Sequence, residues 1–251
     1  IGLGNEGVLQ LTAFLHQVSK CSSKCWLMPV SVQALRQGLL PSVTIQQAQH
    51  ATMHIENHSE EILFDSTLTK KKGAAPLIDL LVFIRAGLVC DYAYLQMLYQ
   101  TYPDKKRLNQ TSFNGILDEL LSFYEQAGEK VDQFGRVFEA AFATTENGHL
   151  LSGPMKRLLG LLLQVLWSQQ VNHFDFQFKN FIVWFIRLGF PGAFPKEILS
   201  ADYAEQVLAH TETLGPPMVL EKIGQLGAAL KPTPDQLLTT IERYQEILKE
   251  I

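Results

Sequence analysis

The chain has 251 residues, 47% of them hydrophobic and 18% charged, with a formal net charge of -4. A chain of this length buries roughly 70% of its unfolded surface, so it needs neither disulfides nor a structural metal to fold. The composition excludes wholesale disorder, and the acidic balance excludes a dedicated nucleic-acid binder. No apolar run reaches about 18 residues, the length of a membrane span. The two nearest, residues 76–102 and 181–190, are interrupted by Asp79, Arg85 and Asp91 and by Arg187.

Three cysteines, Cys21, Cys25 and Cys90, are too few and too odd in number for a disulfide framework. Free thiols suit a reducing compartment, which predicts a cytoplasmic protein. The first residue is Ile1 rather than Met, which points to a natural amino terminus further upstream.

In chain order, Asn5 is positioned to cap a helix running towards Lys24, with Leu9, Phe14, Leu15 and Val18 as apolar residues. Pro29 breaks the pattern, and Ser31 caps a short helix ended by Gly38. Between 43 and 56 the odd positions Val43, Ile45, Ala51, Met53 and Ile55 are apolar and the even ones are mostly polar. That alternation favours strands over a thin helical stripe, with a hairpin over 51–65 that turns at 57–60. Residues 66–76, with Lys70, Lys71 and Lys72, read as a linker.

Beyond the linker, Leu77, Leu81, Ile84, Leu88, Leu95, Leu98 and Tyr102 keep helical spacing, with Gly87 as a break and Asp91 as a second cap. Helices are expected after Ser112, between Gly128 and Phe142, and from Ser200 or Asp202 to Thr213. Pro216 and Pro217 are expected to open a further helix through Leu230. Thr233-Pro234-Asp235-Gln236 is a capping box with proline at the first helical position. Trp167, Val171, Phe174, Phe178, Phe181, Phe185 and Leu188 recur at four and three, a heptad seam written in phenylalanine.

Few residues carry chemistry. His50, His54 and His58 are spaced by four; on a helix such neighbours lie about 6 Å apart and can share a metal. On a strand they lie about 13 Å apart, at roughly 3.3 Å per residue, and cannot. Gly2-Leu3-Gly4-Asn5-Glu6-Gly7 has the three-glycine spacing of a dinucleotide turn. That mechanism needs a preceding strand, which the sequence does not display, and an acid about 20 residues on for the ribose; no Asp or Glu lies between Glu6 and Glu56. Cys21 and Cys25 have zinc spacing without a second pair. Glu146-x-x-His149 has the spacing of a di-iron ligand pair, but Asn147-Gly148 in its middle marks a turn.

These features predict a mainly α protein, a multi-helix bundle with a small β-hairpin in its amino-terminal part. The expected boundary lies at residue 72, with an α+β part over 1–72 and a helical bundle over 73–251. The expected function is a non-catalytic interaction module, a helical adaptor or subunit that binds other protein subunits. The predicted partner-binding face comprises Trp167, Phe174, Phe178, Phe181 and Phe185 together with Leu237, Ile241, Tyr244 and Leu248. No catalytic residue, cofactor or cofactor-binding residue is predicted. Two alternatives are an enzyme whose site is dispersed in sequence, with or without a metal, and a bundle that holds a lipid or other small apolar ligand.

Overall fold

The computed structural model describes residues 1–19, 23–46, 52–66, 69, 74–190 and 192–251, with the backbone alone at 44–46, 52 and 54. The chain divides into two compact units. The first comprises 1–82 and 112–129; the second comprises 83–111 and 130–251. The division thus falls ten residues beyond the expected boundary at 72, and a later segment returns to the first unit.

The first unit, where an α+β part was expected, is built on a parallel sheet. Strand β1 (Gly2–Gly4) leads into helix α1 (Glu6–Val18), and β2 (Trp26–Pro29) leads into α2 (Val32–Leu39). Strand β5 (Glu61–Ile62) completes the order β1-β2-β5, with both pairings parallel. Each helix starts where the sequence supplies a cap: Asn5 Oδ1 accepts from the Val8 amide at 3.3 Å, and Ser31 Oγ from the Ala34 amide at 3.0 Å. Leu9, Cys25, Leu27 and Ala34 form a core against which Ile62 packs.

The expected hairpin exists with a different partner. Strand β4 (Thr52–Glu56) pairs antiparallel with β3 (Ser42–Gln46), placing Val43 opposite Ile55. Residues 61–62 pair instead with β2. Alternation shows which face a residue takes, but it does not name the strand opposite. Helix α3 (Ala75–Cys90) runs unbroken through Gly87, and α6 (Leu117–Gln133) continues past Gly128 with one non-helical residue, Ala127.

The second unit is mostly helical. It contains α4 (Tyr92–Thr101), α5 (Lys105–Gln110), α7 (Arg136–Thr144), α8 (Gly153–Asn172), α9 (Phe178–Leu188), α10 (Ser200–Leu214) and α11 (Pro234–Lys249). Asp91 caps α4, and Thr233 and Gln236 form the capping box of α11. The heptad seam is two helices, because His173 turns left-handed at φ 52° and ends α8. The expected helix over 216–230 is an antiparallel hairpin, β6 (Met218–Lys222) with β7 (Gln225–Ala229). Its turn rests on Gly224, at φ +82°, where a β-carbon would run into the backbone of Tyr92.

The seam lies inside this unit. Trp167, Phe178, Phe181 and Phe185 are buried, as are Leu237, Ile241 and Tyr244; Phe174 and Leu248 are half-buried. The Trp184 indole donates to the Tyr102 carbonyl at 2.7 Å, the Tyr203 hydroxyl to the Phe138 carbonyl at 2.8 Å, and the Tyr244 hydroxyl to the Gly192 carbonyl at 2.5 Å. Such bonds let large aromatic residues be buried without stranding a polar atom. Among the described residues, no helix is long and apolar enough to cross a membrane.

Candidate functional site

The carboxyl ends of β1 and β2 lie side by side, joined by a bond from the Val30 amide to the Gly4 carbonyl at 3.2 Å. Each end opens directly into the amino terminus of a helix, α1 or α2. Open parallel sheets bind ligands at this edge, where helix amino termini favour negative charge. On the sequence alone the three-glycine turn lacks its strand; here Gly2–Gly4 is that strand. A β-carbon at Gly2 would strike the Thr12 side chain, and one at Gly4 would come within 2.7 Å of the Val8 Cβ, so both glycines let strand and helix close together. Gly7 faces open space, with only Asn5 Oδ1 at 3.8 Å.

A buried polar cluster joins the two helix starts. The Glu6 carboxylate accepts from Gln33 Nε2 at 3.0 Å and forms an ion pair with Arg36. Asp79, on α3, accepts from the Gln33 backbone N–H at 3.0 Å. Gln10 Nε2 donates to Gln37 Oε1 at 3.3 Å. Asp79 is 3% exposed. Burial pushes its carboxyl up to about 6; the amides of Gln33 and Val32 pull it down, and the Glu6 charge adds to the rise. The arrangement offers a helix amino terminus suited to an anion and, at the start of the neighbouring helix α2, a buried carboxyl whose titration is raised towards neutral pH.

Sequence reasoning singled out the glycines, and Asp79 as a charge in an apolar segment. It did not join either to Glu6, Gln33 and Arg36. The available signal was the helical pairing of Gln33 with Arg36 just after the second strand.

The remaining candidates do not converge. Strand β4 carries His54, so the helix on which a shared metal depended is not formed there; His50 lies outside the described residues, and His58 is exposed with Nε2 at 3.3 Å from Glu56 Oε2. Cys21 also lies outside them. Burial pushes the thiols of Cys25 and Cys90 up, the latter to about 11, which disfavours the reactive thiolate. Glu146 and His149 are exposed around a left-handed turn at Asn147. In the second unit Arg85 is buried beside Asp132, with Nη1 donating to the Asp132 carbonyl at 3.2 Å. A cleft of about 340 Å³ between α8 and α11 is lined by Leu166, Gln169, Gln170, Glu242 and Arg243 among others, a wall of mixed polar and apolar character.

No family model and no curated protein matches the chain in sequence. Solved structures match its fold. One is 2-epi-5-epi-valiolone synthase from Streptomyces hygroscopicus subsp. jinggangensis 5008 with NAD+ and Zn2+ bound, at TM-score 0.80 and 11% identity over 98% of this chain and 72% of that one. Another is 2-deoxy-scyllo-inosose synthase complexed with carbaglucose-6-phosphate, NAD+ and Co2+, at TM-score 0.75 and 9% identity over 98% of this chain and 73% of that one. A third is a probable glycerol dehydrogenase from Sinorhizobium meliloti 1021, at TM-score 0.60 and 12% identity over the whole of this chain and 77% of that one.

These matches overturn the expected adaptor: the fold is one that solved synthases and dehydrogenases use, and the aromatic seam that suggested a partner surface is interior packing. Among the described residues no three His, Cys, Asp or Glu side chains come together in a way that would hold an ion. The chain is mostly helical, but its architecture is the α/β fold of these two synthases and not a simple helical bundle.

Proposed function

We propose that the protein is an NAD(H)-binding enzyme acting on a small polyhydroxylated compound, with the cofactor's pyrophosphate at the amino terminus of α1. The observation that carries this is the Gly2–Gly7 segment, in which the parallel strand Gly2–Gly4 passes through Asn5 straight into the first turn of α1, in a fold two of whose solved examples hold NAD+. Bound NAD+ supplies a hydride acceptor.

The chain's own residues do the holding. The first-turn amides of α1 point towards the open end of the helix, where phosphate oxygens are stabilised. Glu6 stands in that turn, and its negative charge would repel a pyrophosphate. Arg36 and Gln33 draw its carboxylate towards α2 and offset that charge. Strand β2 ends on Pro29, Val30 and Ser31 without the acid that grips an adenine ribose in many such folds. The residues present therefore fit the phosphate end of the cofactor. The polyhydroxylated substrate class is drawn from the printed names of the synthases and the dehydrogenase.

Calorimetric titration with NAD+, NADH and ADP-ribose tests the proposal. Gly7→Asp adds a charge in open space, so it should leave the fold intact and weaken NAD+ binding about tenfold or more. No heat and no thermal shift at millimolar NAD+ or NADH, with folded protein, would sink it.

A further inference from the structure

Helices α1 and α2 start side by side at the end of the sheet, and their first turns are capped differently. The cap of α1 is a neutral amide: Asn5 Oδ1 accepts from the Val8 N–H. The start of α2 carries an acid from another helix, because Asp79 accepts the Gln33 N–H at 3.0 Å. Gln33 joins the two starts. Its backbone N–H serves Asp79 and its Nε2 donates to the Glu6 carboxylate at 3.0 Å, so one residue holds an acid at each end. Glu6 stands in the first turn of α1, whose open end is the phosphate position of the proposed cofactor.

The two acids differ in what balances them. Glu6 is paired with Arg36 from α2. Asp79 is held by the amides of Gln33 and Val32, and it is 3% exposed, so little water screens it from a nearby charge. The Glu6 charge already adds to the rise that burial imposes on it. On its own helix the residues one turn away, Ala75, Pro76, Val82 and Phe83, are uncharged, and strands β1 and β2 carry no charged side chain. Of the charges at the starts of α1 and α2, Glu6 acts on Asp79 directly, and Arg36 acts as the counter-ion of Glu6.

We propose that Asp79 takes up a proton when an anionic dinucleotide binds at the start of α1. This inference rests on the cofactor reading above and goes beyond it, since that reading needs no change of protonation. Phosphate oxygens at that helix start add negative charge on the Glu6 side of Gln33, which makes a second, buried carboxylate more costly. The proton comes from solvent. The neutral acid keeps a carbonyl oxygen that accepts the Gln33 N–H, so the cap survives the change. Linkage makes the effect reciprocal: whatever factor binding adds to proton affinity, the proton adds to cofactor affinity. Affinity is then full at low pH and falls as pH rises through the titration of Asp79.

Calorimetric titration with NAD+ in two buffers of different ionisation heat, from about pH 5 to 8, tests this. About 0.3–0.5 proton should enter per NAD+ bound near the midpoint, and affinity should be about three- to tenfold tighter at the acid end than at the alkaline end. Asp79→Asn should still bind NAD+, with no uptake and a flat profile. Glu6→Gln removes a negative charge from the same chain of contacts and should move the midpoint to lower pH, a displacement that a purely structural role for Asp79 does not produce. Binding without uptake, or uptake that persists in Asp79→Asn, overturns the proposal and leaves the cofactor reading standing. If Asp79→Asn does not fold, an unmoved midpoint in Glu6→Gln overturns it. Absence of NAD+ binding at every pH removes both.

Discussion

The Asp79 carboxylate accepts the backbone N–H of Gln33 at 3.0 Å, so a side chain from α3 caps the start of α2 across 46 residues of sequence. The capping group is an acid whose own titration is displaced upwards, from 3.8 to about 6, chiefly by burial. In the window between those values the folded chain holds the proton more tightly than the unfolded chain. The resulting stabilisation is full below the lower value and is lost as pH rises through the upper one. Relative to Asp79→Asn, the native protein should lose roughly 2–3 kcal/mol between pH 4 and 7. Urea unfolding of both proteins across that range checks it; a difference that is flat or of opposite slope would remove the argument.

Phe185 is fully buried, with the rings of Phe181, Trp184 and Phe190 at 4.9, 5.7 and 5.7 Å. Phe185→Ala should cost about 3–5 kcal/mol of stability in the isolated chain. A near-neutral result by denaturant titration would return this seam to the surface.

Helices α7 and α8 touch at the backbone. A β-carbon at Gly160 would sit 2.5 Å from the Glu139 nitrogen, and no side-chain rotation relieves a clash with main chain. Gly160→Ala should therefore destabilise by about 1–3 kcal/mol or more. Gly115, in the short helical turn ahead of α6 and followed by Ile116, has nothing within 4 Å, and Gly115→Ala should raise stability by about 0.4–1 kcal/mol. Melting curves of the two variants should move in opposite directions.

Chelation is expected to leave the melting temperature unchanged, because the described residues assemble no three-donor site. Scanning fluorimetry with and without EDTA, together with elemental analysis, measures this. One equivalent of tightly held zinc would show that a centre forms after all.

Local signals were legible in the sequence where one residue decides the outcome. Asn5, Ser31, Asp91 and Thr233 all cap the helices assigned to them. Long-range outcomes were not. Alternation over 51–56 identified a strand, but its partner at 42–46 and the pairing of 61–62 with β2 depend on a sheet whose first strand is three residues with two glycines. Two prolines at 216 and 217 resemble a helix start, but the segment after them is a hairpin that turns at Gly224 with its positive φ. The stripe from Trp167 to Phe185 carries the same spacing whether it meets a partner or its own core. The candidate site drew on four elements, and no window of sequence contains them together.

The three tryptophans are divided unequally, with Trp26 in the first unit and Trp167 and Trp184 in the second. Both indoles of the second unit are sealed from solvent, so their emission is blue-shifted in the native protein and moves red when that unit opens. Trp26→Phe would leave a chain whose fluorescence reports on the second unit alone. The molecule thus carries its own optical labels for timing the opening of each half.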